Sequence, residues 1–253
     1  MLKSGRLSGV SDAVILVTGA GKGIGEAFVL NILGKNTEFP GLRLFLTSRT
    51  EADLAKLTAL SMHAQVPCET LTCDLAEAPL AAFQACMKAY GRVDALIHCA
   101  GVGRFGNFLD LTLDDLQYTM KTNVEASFLL MQAVYGQMKR QALPANGMRG
   151  QIQWITSVAA EKPFEQSSIY CMSKYAQRGL IEVMREYAHE DRIRILDVKP
   201  GATYTPMWGE VPIEQQAKMM GPNDIAIPMI QALLLSPRAS LETLTLRPIE
   251  GDL

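Results

Sequence analysis

Three side chains in the second half of this 253-residue sequence have the types and the spacing of an acid–base site. Tyr170 follows Ser157 by thirteen residues, and Lys174 comes four residues after Tyr170. In a helix, residues four apart lie on one face, which puts the phenol and the ammonium within reach of each other. These groups could deliver a proton to a carbonyl oxygen while hydride reaches the carbonyl carbon.

The chemistry of that proton transfer explains why the tyrosine would need the lysine. A phenol with a pKa near 10 is a poor acid–base group at pH 7, and a nearby ammonium favours the phenolate. Moving this pKa to neutrality takes roughly 4 kcal/mol of differential interaction. We therefore predict that Lys174 lowers the pKa of Tyr170, that Tyr170 donates the proton and that Ser157 holds the same oxygen. A Tyr-x-x-x-Lys pair alone is common by chance, so the interpretation depends on the motifs around it.

A glycine-rich turn near the N-terminus supplies the first of these motifs. The sequence Thr18-Gly19-Ala20-Gly21-Lys22-Gly23-Ile24-Gly25 joins an apolar run to a segment of helical periodicity, which is the context a dinucleotide-binding turn requires. Glycines permit the tight turn and let backbone N–H groups and the helix N-terminus approach a pyrophosphate. The alternative is a plain strand-to-helix turn. The predicted cofactor contacts in the turn are Gly19, Lys22, Gly23, Ile24 and Gly25.

The residue after the second apolar run bears on which nicotinamide cofactor binds. For NAD, an acidic residue near this point takes the ribose 2′-hydroxyl. This chain has Arg49 instead, and a guanidinium can hold a 2′-phosphate in a forked, charge-assisted contact. Lys22 could add a second positive charge, so we predict NADP(H). In the oxidised complex, the cationic nicotinamide would act with Lys174 in favouring the Tyr170 phenolate.

Seven short β-rich runs alternate with longer segments of helical periodicity. The runs are residues 13–18, 42–47, 69–73, 93–99, 151–156, 193–198 and 241–246, and the helical segments are 23–34, 50–62, 77–90, 112–141, 168–189 and 223–235. Several runs are apolar at successive positions, as in strands buried on both faces of a parallel sheet. We predict one α/β domain over residues 1–253, a Rossmann-type, doubly wound, mostly parallel seven-stranded sheet with helices on both faces.

From end to end, the chain resembles the short-chain dehydrogenase/reductase family. The motifs that carry the resemblance are Thr18–Gly25, Cys73-Asp74-Leu75, His98-Cys99-Ala100-Gly101, Asn123, Ser157, Tyr170 with Lys174, and Pro200-Gly201 with Thr205. The resemblance implies that Ser157, Tyr170, Lys174 and Asn123 are catalytic. It also implies that Asn123 helps to hold a water that relays protons through Lys174, and that Lys174 binds the nicotinamide ribose.

The same resemblance implies further cofactor contacts. Asp74 and Leu75 would flank the adenine, and the backbone of Ala100 and Gly101 would pass the cofactor ribose. The residues that would line the nicotinamide are Pro200, Gly201, Thr203 and Thr205. The family's usual Asn-Asn-Ala-Gly begins here with His98, which we interpret as structural and not catalytic, since the family has a structural amide at this strand end.

Within the family, the chain resembles the bacterial sepiapterin reductases. This resemblance is carried by residues 100–106, 155–160, 167–174, 204–209, 246–248 and 251–252. It implies NADPH-dependent reduction of a side-chain ketone on a pterin, as in the last step to tetrahydrobiopterin. Phe105 and Trp208 could stack on the flat pterin, and Asp252, with Glu210 as a second candidate, could bind its guanidine-like edge.

Two other functions stay open at this point. One is reduction of other ketones or of 3-oxoacyl groups on the same fold, although the net charge of −2 gives no sign of a basic patch for an acyl carrier. The other is non-catalytic NADP(H) sensing. The intact Ser157, Tyr170, Lys174 and Asn123 argue against sensing, because a sensor needs no proton relay.

Composition narrows the compartment and the partners. Lys and Arg number 24 against 26 Asp and Glu, a balance without the footprint of a nucleic-acid or membrane-surface protein. Five cysteines without a Cys-x-x-Cys pair indicate reduced thiols, and three scattered histidines give no ligand spacing, so we expect no metal site. No apolar run is long enough to span a bilayer, and we expect a cytoplasmic protein that acts on a small carbonyl substrate. The resemblance implies a homodimer or homotetramer that associates through 112–141 and 168–189.

Overall fold

The computed structural model describes residues 12–251, so Asp252 lies outside the described residues. The strands are β1 (Val14–Thr18), β2 (Arg43–Ser48), β3 (Cys68–Thr72), β4 (Ala95–His98), β5 (Gly150–Ile155), β6 (Ile193–Pro200) and β7 (Thr243–Leu246). The helices are α1 (Gly23–Gly34), α2 (Glu51–His63), α3 (Ala81–Tyr90), α4 (Leu113–Met120), α5 (Ala126–Arg140), α6 (Ser168–Asp191), α7 (Ile213–Gln216) and α8 (Pro222–Leu233). Within the described residues, no helix is both long and apolar enough to cross a membrane.

The seven strands form one sheet in the order β3-β2-β1-β4-β5-β6-β7, and every neighbouring pair is parallel. This confirms the predicted doubly wound sheet. The strand order reverses between β1 and β4, and such a reversal opens a crevice at the carboxyl ends of the strands. Thr18, at the end of β1, is level with Thr47 in β2 and with His98 in β4. The turns after these three strands therefore meet at one edge of the sheet.

Helices cover both faces of the sheet because the central strands are apolar in both directions. In β1, Ile15 and Val17 face a core shared with α1, α2 and α8, whereas Val14 and Leu16 face a core shared with α3, α5 and α6. All residues of β1, β4, β5 and β6 are buried, and the edge strands β3 and β7 are partly exposed. Burial on two faces is the physical reason for the continuous apolar runs in the sequence.

The predicted helix over 112–141 is interrupted. A capping box of Thr112 and Asp115 starts α4, but the chain then makes a π-helical turn over Lys121–Glu125 before α5 begins. A π turn widens the helix by one residue, and such turns are frequent at functional sites. Here it carries Asn123 into the interior of the protein.

Candidate active site

The glycine turn after β1 packs directly on the turn after β4. Gly19 has a φ of 66°, and a Cβ there would lie 2.7 Å from the backbone nitrogen of Ala100. A Cβ on Gly25 would collide with the carbonyl oxygen of Gly19. Gly23 has a φ of 59°, and Thr205, from the loop after β6, lies against it. These glycines thus let the turn pack closely on its neighbours at the N-terminus of α1, which is the tight turn that a bound pyrophosphate requires.

The predicted contacts for a 2′-phosphate lie at the turns after β1 and β2. Arg49 is exposed, and its Nη1 donates to the Tyr118 hydroxyl at 2.8 Å. Lys22 is exposed and its Nζ lies 3.7 Å from a carboxylate oxygen of Asp53. Ser48 packs its hydroxyl against Gly21, between these two turns, and sequence reasoning missed it. The only signal for Ser48 is its position at the end of β2, next to Arg49.

Ser157, Tyr170 and Lys174 come together as their spacing predicts. The Ser157 hydroxyl, just after β5, accepts from the Ala159 N–H at 3.0 Å and donates to the Pro200 backbone oxygen at 3.4 Å, and it is near enough to Tyr170 to lower the pKa of the phenol. Tyr170 lies in the first turn of α6, and the Nζ of Lys174, one turn further, is 5.5 Å from the centre of the Tyr170 ring. The two groups therefore share one helix face beside the end of β5.

In the protein without a cofactor, the pKa of Tyr170 lies above its ordinary value. Burial raises the pKa of Tyr170 to about 12, and the nearby Ser157 hydroxyl opposes this only in part. Burial also lowers the pKa of Lys174 to about 8, against the opposing charges of Asp197 and Cys99. Desolvation is thus the largest influence on the pKa of both groups. A phenol that stays protonated at neutral pH suits a proton donor.

Lys174 is buried and held by acceptors on two sides. Its Nζ donates to the backbone oxygen of Ile155 at 3.1 Å and to Oε1 of Gln177 at 3.0 Å. A Cβ on Gly101 would lie 3.7 Å from the same Nζ and 3.4 Å from Oδ1 of Asn123. The absence of a side chain at Gly101 leaves space beside the ammonium, and this fits the predicted contact of Lys174 with a cofactor ribose.

Asn123 is buried, and both its side chain and its backbone make hydrogen bonds. Its Oδ1 accepts from the backbone N–H of Val102 at 2.8 Å, and its Nδ2 donates to the backbone oxygen of Val102 at 2.8 Å and to the Ser173 hydroxyl at 3.0 Å. Its own backbone oxygen accepts from Nε2 of Gln177 at 2.6 Å. Asn123 therefore fixes the segment after β4 against α6, and the side-chain amide of Gln177 hydrogen-bonds to its backbone oxygen. No motif in the sequence pointed to Gln177.

His98 is buried, and both of its ring nitrogens lie within hydrogen-bond distance of hydroxyl groups. Its Nδ1 lies 2.7 Å from the Thr18 hydroxyl, and its Nε2 lies 2.8 Å from the Ser127 hydroxyl. Its ring meets the Trp154 ring edge-on at 5.1 Å. Burial, with a smaller contribution from the Lys174 charge, lowers the pKa of His98 to about 3. The neutral ring joins β1, β4 and α5 beneath the glycine turn.

The other predicted cofactor residues lie at the same edge of the sheet. Asp74 uses Oδ1 to accept from the Ala76 N–H at 2.9 Å, and Leu75 is buried in the core. Pro200 ends β6, and the Gly201 N–H bonds to the backbone oxygen of Leu246 at 2.7 Å. Thr203 is buried and its hydroxyl donates to the Gly201 carbonyl at 3.0 Å.

Of the predicted substrate residues, Phe105 lies nearest to the catalytic tyrosine. Its ring centre is 5.1 Å from that of Tyr170, with the planes tilted by 51°, and the residue is 52% exposed. A Cβ on Gly103 would collide with the Phe105 ring, so glycine is needed for the ring to fold back over Tyr170. Trp208 is 42% exposed in the 3-10 helix Pro206–Trp208, and Glu210 is exposed nearby in the chain.

The parallel sheet, the glycine turn and the Ser-Tyr-Lys cluster define an oxidoreductase of the short-chain type. A family model described as short chain dehydrogenase matches residues 13–216. The chain belongs to this family, and it is an enzyme that interconverts carbonyl and alcohol groups.

Individual relatives agree with this class. The chain is 46% identical over 244 residues to a sepiapterin reductase of Chlorobaculum tepidum, covering 95% of this chain and 98% of that protein. It is 30% identical to an L-xylulose reductase of Bos taurus, over 93% and 94% of the two chains.

Solved structures agree with the fold. A metagenomic short-chain oxidoreductase in complex with NADP has a TM-score of 0.77 at 28% identity, over 95% of this chain and 98% of that one. An alcohol dehydrogenase from the archaeon Thermococcus sibiricus complexed with 5-hydroxy-NADP has a TM-score of 0.80 at 24% identity, over 94% and 97% of the chains, and shows the likeness of fold alone.

Proposed function

We propose that the protein is an NADPH-dependent carbonyl reductase of the sepiapterin reductase type, which reduces a side-chain ketone on a pterin. The observation that carries this proposal is the Tyr170 phenol, which lies next to Ser157, is flanked by Lys174 and is covered by the Phe105 ring. The identity of 46% to a sepiapterin reductase, over nearly the whole of both chains, supports the choice of substrate.

The cofactor we propose is NADP(H). The glycine turn offers backbone N–H groups to a pyrophosphate, and two cationic side chains, Lys22 and Arg49, lie at the turns nearest the predicted adenosine. Arg49 has a neutral partner, the Tyr118 hydroxyl, so its charge stays available to a phosphate. NADP is also bound by a relative of similar fold at 28% identity.

The chain's own residues carry the proton half of the reaction. Bound NADPH supplies the hydride that reaches the carbonyl carbon. Ser157 donates a hydrogen bond to the carbonyl oxygen, and Tyr170 transfers its hydroxyl proton to that oxygen, so the product is the alcohol. The Lys174 ammonium stabilises the phenolate that Tyr170 leaves behind.

The substrate face of the site is aromatic. Phe105 lies over Tyr170 and is half exposed, so it can stack on a flat ring whose ketone side chain reaches the phenol. Trp208 is a second aromatic candidate, and Glu210 and Asp252 stay candidates for the guanidine-like edge of the pterin.

The test is a panel of carbonyl substrates with NADPH, followed by the loss of NADPH absorbance. We expect sepiapterin to be reduced with a kcat/KM at least about tenfold above that for diacetyl or an acetoacetyl thioester. The variant Phe105→Ala should raise the KM for sepiapterin more than the KM for diacetyl, because only the pterin stacks. Preference for the thioester would favour 3-oxoacyl reduction, and NADPH binding without turnover of any carbonyl would favour a sensor.

We further propose a single domain over 1–253 that acts in the cytoplasm as a homodimer or homotetramer. All five cysteines are unpaired, which suits a reducing compartment. The helices α5 and α6 expose apolar side chains, among them Phe128, Val183 and Tyr187, and this supports them as association surfaces. Light scattering at micromolar concentration tests the oligomer, and a monomer would contradict it.

A further inference from the structure

We propose that Gln177 is a positioning residue that holds the Lys174 ammonium in place. Gln177 is 1% exposed. Its Oε1 accepts from Lys174 Nζ at 3.0 Å, and its Nε2 donates to the Asn123 backbone oxygen at 2.6 Å. The inference depends on the roles of Tyr170 and Lys174 in the proposed reaction and not on the identity of the carbonyl substrate.

Chemistry fixes the orientation of the Gln177 amide. An ammonium has only donors and a backbone carbonyl has only acceptors. The amide oxygen must therefore face Lys174, and the amide nitrogen must face Asn123. Of the three hydrogens on Nζ, one goes to Gln177 and one to the Ile155 backbone oxygen. The third hydrogen is left for a group in the space beside Gly101, where we expect the cofactor ribose to lie close to Tyr170.

The amide is anchored from behind by a buried polar chain. The Ser127 hydroxyl lies 3.4 Å from Nε2 of Gln177 and 2.8 Å from Nε2 of His98. His98 in turn lies 2.7 Å from the Thr18 hydroxyl at the end of β1. These side chains are all buried, so Gln177 has little freedom to turn. The position of Lys174 is thereby linked to the strand that carries the glycine turn.

Gln177 also separates Lys174 from an apolar groove on the helix face. The groove has a volume of about 390 Å³ and lies between α5 and α6. Most of its lining is apolar, and its polar members are Glu125 and Gln177. A carboxamide neither gains nor loses a proton near neutral pH, in contrast to a water or a carboxylic acid. Gln177 therefore adds no charge of its own to the pH profile of the enzyme.

The amide acts within a small set of charged groups. The titratable neighbours of Lys174 are Tyr170 on its own helix, His98 and Cys99 at the end of β4, and Asp197 on β6. Within the part of the chain that the structure describes, none of these four groups forms a hydrogen bond with Nζ of Lys174. Loss of the Gln177 acceptor should therefore both displace the ammonium and make its charged form less stable.

Two substitutions at Gln177 test this. Gln177→Met keeps the length of the side chain and removes both hydrogen bonds, and we expect kcat at pH 7 to fall about tenfold, the typical effect of one hydrogen bond to a charged group. The basic limb of the pH profile, where kcat decreases on the alkaline side, should lie at a pH about one unit lower than in the wild type. Gln177→Glu keeps an acceptor for Lys174 and adds negative charge, so its basic limb should move up. Opposite displacements of the limb are not expected from a purely structural role.

A second buried glutamine provides the matched control. Gln153 in β5 is fully buried and its Nε2 donates to the backbone oxygen of Met229 in α8 at 2.9 Å. Gln153→Met should reduce the thermal unfolding temperature to a similar extent and leave the pH profile where it is. If Gln177→Met retains the kcat and pH profile of the wild type, or if it matches Gln153→Met in both, the proposal is wrong. If Gln177→Met does not fold, the pH profile of Gln177→Glu is the test. A basic limb that moves up supports the proposal, and a limb that stays in place contradicts it.

The readouts separate this inference from the proposed substrate. Diacetyl and sepiapterin should show the same displacement of the limb, because Lys174 acts on any carbonyl. If sepiapterin is not reduced but diacetyl is, only the choice of substrate fails. If no carbonyl is reduced, the pH at which NADPH affinity is lost, measured by NADPH fluorescence, should still move in opposite directions in the two variants. If the wild type, Gln177→Met and Gln177→Glu all lose NADPH affinity at the same pH, the proposal is wrong.

Discussion

His98 should make the protein sensitive to mild acid in a way that one substitution removes. The ring is buried, neutral and tied to Thr18 and Ser127, with a pKa lowered to about 3 from the ordinary value of 6.5. The unfolded chain binds a proton on His98 below pH 6.5 and the folded chain does not. The contribution of the neutral ring to stability is therefore fully present above pH 6.5 and is lost progressively as the pH falls toward 3.

The size of the effect at about pH 5 follows mainly from the unfolded state. Protonation of a histidine of pKa 6.5 stabilises the unfolded chain at that pH by about 2 kcal/mol. This holds as long as the folded pKa stays well below 5. Between pH 7 and 5, the wild type should therefore lose about 2 kcal/mol more unfolding free energy than His98→Asn. At pH 7 the variant should be less stable by about 1 kcal/mol because it loses a buried hydrogen bond.

Urea unfolding at the two pH values measures this difference directly. His63 lies exposed on α2, so His63→Asn should keep the acid dependence of the wild type and serves as the control. An equal loss of free energy in the wild type and in His98→Asn would refute the buried, neutral state of His98.

Three further substitutions test the catalytic and cofactor assignments. Tyr170→Phe should reduce kcat at least about 100-fold with little change in NADPH affinity, and retained turnover would contradict its role as proton donor. Arg49→Asp should weaken NADPH binding about tenfold or more and leave NADH binding unchanged, whereas equal effects in fluorescence titrations would remove the argument for a 2′-phosphate. Gly19→Ala should lower the unfolding temperature and abolish NADPH binding, because its φ is 66° and the new Cβ would lie 2.7 Å from Ala100 nitrogen. Gly34→Ala, where a Cβ meets nothing within 4 Å, is the control and should bind normally.

The sequence was sufficient for the features that depend on local pattern. The seven strands and the parallel sheet could be predicted because burial on both faces requires runs such as Val14–Thr18 to be apolar throughout. Tyr170 and Lys174 could be paired because helical geometry alone sets their relative position. The turn at Gly19 could be identified because its glycines have a distinctive spacing between a strand and a helix.

What escaped prediction depends on contacts between distant parts of the chain. The π turn at Asn123 accompanies hydrogen bonds to Val102, which no periodicity within residues 112–141 could reveal. Gln177 belongs to no motif, and its importance comes only from its bonds to Lys174 and Asn123. The direction of the Tyr170 pKa depends on how much water the fold excludes, and residue spacing carries no information about that.

Because β1 lies between β2 and β4 in the sheet, it cannot be paired on both sides until both of those strands have been synthesised. Thr18 and its partner His98 are 80 residues apart, so one long side of β1 stays unpaired while that stretch is being synthesised. β1 is apolar throughout, and an unpaired apolar strand readily joins strands of other chains. We therefore expect nascent chains that end before β4 to depend more on chaperones than chains that include it. The hydrogen bond between His98 and Thr18 can form only when β4 pairs with β1 and covers its free edge.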